Sequence, residues 1–269
     1  MRVSVITINL NNYAGLKRTI DSVLTQTCQD YEWIVIDGGS TDGSVELLES
    51  CKEHFSHCIS EPDGGVYEAM NKGIGLARGE YLSFMNSGDV YACDTVLEYF
   101  DSHCDGSDFI VGRSVYAGDG QPLAKEPPYT LEDEVFRLCI SAYPHQATFI
   151  RRDVFQKYGL YREDKKLASD WYLTVEALFK GRATVSHLPV LVSVCEGDGI
   201  SSRMRKELYR ERESLIKENP YFAVLFNYYT ENLEMVKALK GNKAVFFLFR
   251  LYYYLHRKFN AVFNHNTGS

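Results

Sequence analysis

The fold is decided by two apolar stretches of similar design, VSVITINL at residues 3–10 and WIVIDGG at residues 33–39. Each is rich in β-branched side chains and ends in polar or glycine residues, which is typical of a buried strand that opens into a loop. Between them, apolar residues recur at helical spacing through residues 16–26. A strand, a helix and a second strand in this order predict a parallel sheet with crossover helices.

The same alternation continues for about ninety residues and then becomes less regular. The periodicity predicts further strands at 57–60, 80–85 and 183–195. It predicts helices at 66–77, near 131–138, at 169–179 and beyond residue 202, and a glycine-containing loop at 197–201. The whole pattern predicts one α/β domain followed by a C-terminal helical extension.

The distribution of charge divides the chain in two. The 269 residues carry a net charge of -7, but residues 203–269 hold 12 Lys and Arg against 6 Asp and Glu, whereas residues 1–202 hold 17 against 30. An acidic body lacks the basic footprint that a phosphate backbone needs, so nucleic acid is excluded as its partner. The acidic body is better suited to holding a cation, and the basic segment predicts a separate extension.

The cysteines and the first apolar run bear on the compartment. Seven cysteines are scattered along the chain without a CxxC pair or a zinc-ligand spacing, which predicts a reduced, cytoplasmic protein. Ser4, Thr7 and Asn9 interrupt the first apolar run, and no small-residue cleavage site follows it. This run therefore indicates a strand and not a secretion signal.

Polar side chains follow the predicted strands where each strand ends. Thr7 and Asn9 close the first strand, Asp37 the second, Asp63 lies in the loop EPDGG, and Asp89 follows the strand that ends near residue 85. The carboxyl ends of parallel strands meet at one edge of a sheet, where ligands bind. Taken singly, these acids are equally well explained as turn formers beside glycine or as residues of a first helical turn.

The order of several segments is more specific than any one of them. The chain contains VSVITIN, SVLTQT, EWIVIDGGSTDGS, EPDGGVYEAMNKGIGLARGEYLSFMNSGD, PHQATFIRRDVF and ASDWYL, in this order, over about residues 2–201. Together they resemble the inverting family 2 glycosyltransferases. The resemblance implies a GT-A fold, an α/β fold with a Rossmann-like mixed sheet flanked by helices, here with a C-terminal helical extension. In this fold a nucleotide-sugar half, about 1–90, is fused to an acceptor half, about 91–202. The resemblance also implies transfer of a sugar from a nucleoside diphosphate donor to a hydroxyl group with inversion.

The resemblance assigns roles by position. Asp170 would be the catalytic base, and Asp89 would bind Mn²⁺ or Mg²⁺ as the acid of the DXD-type motif. Asp37 would lie near the nucleobase of the donor and suggests uracil, and therefore a UDP-sugar. The remaining donor-binding positions would be Thr7, Asn9, Asp63, Asn71, Asn86 and Ser87. The acceptor-binding positions would be His145, Gln146 and Trp171.

Two features leave alternatives open. The chain has Asn86 where the family has the first acid of the metal motif, so a catalytically silent module that binds nucleotide sugars is one alternative. Asp170 also stands at the start of a predicted helix, where a carboxylate is favourable without any catalytic role. A sugar nucleotidyltransferase is a further alternative, but no glycine-rich, basic phosphate loop precedes Asp37.

The basic extension ends in an aromatic segment, KAVFFLFRLYYYLHRKFNAVF at residues 243–263. Its apolar runs are interrupted by Arg250 and followed by His256, Arg257 and Lys258, so they are too short to span a bilayer. Its amphipathic pattern fits either peripheral contact with the inner face of the cytoplasmic membrane or packing on protein, including a homodimer.

The family resemblance also implies the acceptor. It would be a glycan or lipid-linked saccharide, in polysaccharide biosynthesis.

Overall fold

The computed structural model describes residues 1–117, 142–179, 181–196 and 203–219. The strands are β1 Val3–Asn9, β2 Tyr31–Asp37, β3 His57–Ser60, β4 Tyr81–Phe84, β5 Val90–Tyr91, β6 Phe109–Ala117, β7 Thr148–Arg151 and β8 Val185–Glu196. The helices are α1 Tyr13–Leu24, α2 Ser44–Ser50, α3 Val66–Leu76, α4 Val96–His103, α5 Arg152–Tyr158, α6 Ser169–Phe179 and α7 Arg205–Glu218. Short 3-10 turns occupy Lys52–His54 and His145–Ala147.

The described strands form one mixed sheet in the order β3-β2-β1-β4-β7-β6-β8-β5. β3, β2, β1 and β4 are parallel neighbours. β7 pairs antiparallel with both β4 and β6, and β8 runs parallel to β6 and antiparallel to β5. The prediction of a mixed α/β sheet is confirmed, including the strand at 57–60 and the helix at 169–179.

The core forms where both faces of the sheet are covered. Every residue of β1 is buried, as the continuous apolar run predicts for a central parallel strand. α1 turns Leu16, Ile20 and Val23 towards this core, and its first turn is capped by Asn12, whose side chain accepts a hydrogen bond from the Gly15 amide at 3.1 Å. The helix therefore fixes the direction in which the chain leaves the end of β1.

The carboxyl ends of the first strands meet at one edge. Asn9 is paired in register with Asp37, and Asp37 with Ser60. The chain after β4 extends this arrangement, because the amide of Ser87 donates to the carbonyl of Ile8 at 3.0 Å. The polar residues predicted at the strand ends thus lie along one edge of the sheet.

The chain divides into two compact units, Met1–Leu215 and Ile216–Ser269. The first unit includes most of α7, which begins after the predicted catalytic boundary at residue 202. The predicted helix near 131–138, the loop at 197–201 and the aromatic segment at 243–263 lie outside the described residues. Among the described residues, no helix is both long and apolar enough to cross a membrane.

Candidate functional site

Asp37 organises the loop that follows β2. Its side chain is fully buried, and its oxygens accept hydrogen bonds from the side chains of Asn9, Ser40 and Ser60 at 2.8, 2.6 and 2.7 Å. The backbone amides of Gly39 and Ser40 donate to it at 3.1 and 2.9 Å. Burial alone would raise the pKa of Asp37, but these hydrogen bonds outweigh it and hold the pKa below its ordinary value. The carboxylate is therefore internally satisfied.

Asn9 and Thr7 lie beside it in the sheet. The amide of Asn9 donates to Asp37 and to Ser40, whereas its Oδ1 atom is buried without a hydrogen-bond partner. Thr7 is fully buried, and its hydroxyl accepts a hydrogen bond from the Trp33 indole at 3.0 Å. Asn9 thus leaves an acceptor open at the sheet edge, while Thr7 packs within the sheet. The predicted donor contacts of both residues stay predictions.

Asp63 lies over the loop after β2. A Cβ atom on Gly38 would come within 2.9 Å of the Asp63 Oδ2 atom, so the absence of a side chain at Gly38 leaves room for this carboxylate. The other oxygen of Asp63 accepts a hydrogen bond from the Gly65 amide at 2.9 Å, ahead of α3. Asp63 is half-buried and faces the same edge as Asp37.

Asn71, predicted as a donor-binding residue, lies in α3 and binds the segment that leads to α6. Its side chain donates to the carbonyl of Tyr161 at 2.8 Å and to the carboxylate of Glu163 at 2.9 Å, and accepts from the amide of Tyr161 at 3.0 Å. The side chain is 8% exposed. Its polar atoms therefore hold protein backbone in this structure.

The segment after β4 makes a tight turn that presents Asn86 and Asp89. The amide of Asp89 donates to the carbonyl of Asn86 at 2.9 Å, and Gly88 between them has a φ of 103°, which favours glycine. Thr19 from α1 fixes the turn, because its hydroxyl donates to the carbonyl of Asp89 at 2.7 Å and accepts from the amide of Gly88 at 3.0 Å. Ser87 joins the turn to α1, since its carbonyl accepts from the Asn12 side chain at 3.1 Å.

Burial raises the pKa of Asp89, while the proximity of His145 and a hydrogen bond with Cys195 work in the opposite direction. Cys195 itself is buried at the end of β8 and is contacted by Gln146, whose Nε2 atom donates to its sulfur at 2.8 Å. Gln146, predicted to contact the acceptor, thus donates a hydrogen bond to the thiol beside Asp89. Sequence reasoning did not identify this thiol, because a cysteine in a strand looks like a small core residue.

His145 connects this turn to the predicted base. Its Nε2 atom lies 3.0 Å from the side-chain nitrogen of Asn86, which can only donate, so Nε2 is the acceptor. The proton of a neutral ring is then on Nδ1, which faces the Asp170 Oδ2 atom at 3.8 Å. This distance is too long for a hydrogen bond but short enough for electrostatic attraction. The Asn86 Oδ1 atom is left buried without a partner.

Asp170 lies in the first turn of α6. Its Oδ1 atom accepts a hydrogen bond from the hydroxyl of Tyr67 at 2.8 Å, and 20% of its side chain is exposed. Burial, followed by the charge of Asp170, raises the pKa of Tyr67 well above its ordinary value, so Tyr67 stays a donor. The contact links α3 to α6 across 103 residues of sequence.

Trp171, the next residue, is 2% exposed and packs under the guanidinium of Arg212, which lies 5.1 Å from the ring centre. The structure thus buries this side chain against α7, and its predicted contact with an acceptor stays a prediction. Asn86, His145, Asp170 and Tyr67 form a continuous polar line from the sheet edge to α6. This arrangement holds the Asp170 carboxylate in place through its Oδ1 atom and leaves its Oδ2 atom able to accept a proton.

Asp89 and Asn86 are also the residues that fit a divalent cation. Within the described ranges, no group of three or more His, Cys, Asp and Glu side chains could hold a metal ion by itself. Mg²⁺ is commonly bound by only one or two carboxylates together with substrate phosphates, and it prefers oxygen ligands. One carboxylate and the unpartnered Asn86 Oδ1 atom meet that description.

Comparison with known proteins gives the family. The sequence pattern described as Glycosyl transferase family 2 matches residues 4–159. An uncharacterized glycosyltransferase of Mycobacterium tuberculosis is 34% identical over 201 residues, which cover 73% of this chain and 74% of the relative. A PGL/p-HBAD biosynthesis glycosyltransferase of Mycobacterium bovis is 29% identical over 217 residues, which cover 78% of this chain and 82% of the relative.

Solved structures agree with the fold. The Staphylococcus aureus protein TarS, in its complex with UDP-GlcNAc, superposes with a TM-score of 0.67 at 18% identity, over 86% of this chain and 72% of that one. At this identity the likeness is informative for the fold alone. It confirms the GT-A architecture that the sequence predicts.

Proposed function

The chain belongs to glycosyl transferase family 2, and from this premise we propose that it moves a sugar from a UDP-sugar donor to an acceptor hydroxyl with inversion. The observation that carries the proposal is the polar line Asn86–His145–Asp170–Tyr67, which joins the edge of the parallel strands to a partly open carboxylate. A silent binding module has no need of such a carboxylate. A sugar nucleotidyltransferase would need a basic phosphate loop, which the sequence lacks.

In the proposed reaction, Asp170 takes the proton of the acceptor hydroxyl while that oxygen attacks the anomeric carbon of the donor. One oxygen of Asp170 is held by Tyr67 at 2.8 Å, so the other, on the His145 side, is the one that receives the proton. The donor C–O bond breaks as the new one forms, and the nucleoside diphosphate departs. A single displacement of this kind inverts the configuration and requires no covalent intermediate.

The donor lies, in this proposal, along the edge formed by the ends of β1 and β2. Asp37 shapes the loop at residues 38–40, and the open Asn9 Oδ1 atom accepts a hydrogen bond from the nucleoside. Asp63 borders the same space above Gly38. The complex of TarS with UDP-GlcNAc, which shares this fold, supports a UDP-sugar as the donor.

Asp89 and Asn86 would hold Mn²⁺ or Mg²⁺ together with oxygens of the donor diphosphate. When bound there, the cation supplies positive charge that stabilises the departing diphosphate. Asp89 must be ionised for this role, and its burial makes the ionised form costly in the absence of a positive charge. Metal and donor are therefore expected to bind together.

The acceptor is proposed to be a glycan or lipid-linked saccharide in polysaccharide or glycolipid biosynthesis. The supporting observation is the relative from Mycobacterium bovis, which is named for PGL/p-HBAD biosynthesis and is similar over 82% of its length. His145 lies between the turn at residues 86–89 and Asp170, and Gln146 contacts Cys195 beside that turn, so both would meet an acceptor that approaches there. We place the reaction at the cytoplasmic face of the membrane.

The decisive variant is Asp170→Asn, which keeps the shape of the side chain and its contact with Tyr67 but removes the base. We expect release of UDP from UDP-GlcNAc, with water as the acceptor, to fall about 100-fold or more, while the donor still raises the unfolding temperature. If another sugar nucleotide gives the larger thermal shift, that donor replaces UDP-GlcNAc in the assay. Turnover of Asp170→Asn at the wild-type rate would contradict the assignment.

Asp89→Ala serves as the matched variant on the donor side. It should remove the part of the donor-induced thermal shift that depends on Mn²⁺, whereas Asp170→Asn should retain that part. A shift that is the same with and without Mn²⁺ in the wild-type protein would contradict the proposed metal site.

A further inference from the structure

α7 is bound to the approach to the proposed base. The carboxylate of Glu211 accepts hydrogen bonds from three consecutive backbone amides, those of Lys166, Leu167 and Ala168, at 2.9, 2.8 and 3.1 Å. Ala168 directly precedes α6, and its carbonyl accepts the hydrogen bond from the amide of Tyr172 that opens the helix. One side chain of α7 thus fixes the three residues that lead into the helix carrying Asp170.

This contact is favourable for two reasons. Hydrogen bonds from backbone amides to an ionised carboxylate are stronger than those between neutral groups. The beginning of α6 carries the positive end of the helix dipole, and Glu211 places a negative charge there. The carboxylate therefore holds the backbone at residues 166–168 more firmly than a neutral acceptor would.

The same segment is anchored at its other end by the donor half of the fold. The side-chain amide of Asn71 in α3 donates to the carbonyl of Tyr161 and accepts from its amide, and the amide of Arg162 donates to the hydroxyl of Ser169. The stretch at 161–168 is thus held by α3 at one end and by α7 at the other. Asp170 follows two residues after the Glu211 contacts, so its position depends on both anchors.

A second residue of α7 contacts Trp171, which follows Asp170 in α6. Arg212 is 8% exposed, and its guanidinium lies 5.1 Å from the ring centre of Trp171, the residue next to Asp170. Burial lowers the pKa of Arg212, and the negative charge of Asp170 acts in the opposite direction. α7 therefore meets the backbone before Asp170 and the side chain after it.

We propose that Glu211 is a positioning residue for sugar transfer, which holds Asp170 at the distance and angle that proton removal requires. The inference rests on the proposed function, because it concerns the same reaction and the same base. It extends the catalytic machinery into α7, beyond the residues that match the family pattern, 4–159. A displacement of about 1 Å at a reacting group can cost on the order of 100-fold in rate.

The test compares Glu211→Ala with Glu211→Gln and with Glu207→Ala, which removes an exposed glutamate from the same helix. With UDP release from UDP-GlcNAc as the assay, Glu211→Ala should lower kcat about 10-fold or more and leave the donor KM within about two-fold. Glu211→Gln keeps an acceptor oxygen of the same reach and should recover part of kcat. Glu207→Ala should behave as wild type.

Measurements are made well below each variant's unfolding temperature, so that loss of folded protein does not count as loss of rate. The proposal is overturned if Glu211→Ala keeps the wild-type kcat. It is equally overturned if kcat and donor KM worsen together and glutamine restores nothing, since that pattern indicates a general structural role. Asp170→Asn separates the two ideas: an active Asp170→Asn removes the base assignment, whereas an inactive Asp170→Asn beside a fully active Glu211→Ala removes only the role of Glu211.

Discussion

Asp37 joins three segments through a single carboxylate: the end of β1 through Asn9, its own loop through Ser40, and the end of β3 through Ser60. Its pKa is held below the ordinary value, so the ionised form is the one that the fold stabilises. A group of this kind stabilises the folded state wherever it is ionised, and that stabilisation is lost as the pH falls through its folded-state pKa. The contacts by which Asp37 joins the ends of β1 and β3 to its own loop should therefore weaken at acid pH.

Asp37→Asn should lower the free energy of unfolding by about 2 to 3 kcal/mol at neutral pH, because an amide nitrogen then faces donors that need an acceptor. The difference from wild type should be complete above the ordinary pKa of 3.8 and should shrink as the pH falls below it. Denaturant titrations across this range measure it. The exposed, ion-paired Asp21 gives the control: Asp21→Asn should change stability by less than about 1 kcal/mol. A wild-type difference that persists at the lowest pH would contradict the interpretation.

For individual residues, the sequence predicts which ones lie in the same site but not which group each one binds. The resemblance to a known family predicts that Asn86, His145 and Asp170 share one site. In the structure they lie in one polar line. Asn71 was predicted to bind the donor, yet in the structure it binds the backbone of Tyr161. Glu211 contacts residues more than 40 positions away, so no local pattern could have indicated it.

α3 packs closely against the sheet at Gly73. A Cβ atom on Gly73 would lie 2.6 Å from the Cγ2 atom of Ile6 in β1, so this helix packs where a side chain would not fit. Gly75, two residues on, has nothing within 4 Å of the same position. The two glycines in one helix therefore separate the effect of packing from that of helix propensity. The position of α3 matters to the site because it carries Tyr67 and Asn71.

Gly75→Ala should raise the unfolding free energy by up to about 1 kcal/mol, since alanine is the better helix former at an exposed position. Gly73→Ala gains the same propensity but must push against β1, and should be about 1 to 3 kcal/mol less stable than Gly75→Ala. Chemical denaturation of the two variants under identical conditions makes the comparison. Equal stability of the pair would show that α3 can move away from β1 without cost.

Element by element, most strands and helices could be predicted, but the strand pairing beyond the parallel half of the sheet could not. β1 and β2 appear as apolar runs with turn residues after them, and the strands predicted at 57–60 and 183–195 lie close to their observed positions. The insertion of β7 between β4 and β6 joins strands that are far apart in sequence, so periodicity alone does not reveal it. The same holds for the contact of α7 with the start of α6. Long-range pairing depends on packing, which a local pattern does not record.

For the whole molecule, the uneven charge remains the feature with the clearest consequence. Residues 1–202 hold 17 basic against 30 acidic residues, whereas residues 203–269 hold 12 against 6. An anionic lipid surface repels the first group and attracts the second, with a range set by the Debye length. Aromatic residues in the segment at 243–263 would add apolar contact with the interface. Docking of the basic end on a membrane is therefore one prediction from the sequence, and packing of the same segment on protein is the other.

Vesicle flotation tests this with the full chain. Binding to vesicles that contain phosphatidylglycerol should be clear at low salt and should weaken at about 0.5 M NaCl, where surface charges are screened, while pure phosphatidylcholine vesicles should bind less. Replacing Arg250, Arg257 and Lys258 together by glutamine should weaken the binding. Replacing Lys17, Lys52 and Lys157, three exposed lysines of the acidic part, removes the same charge and should not. If both triple variants float like wild type, the basic end does not dock on lipid, and packing against protein is the remaining explanation of its aromatic pattern.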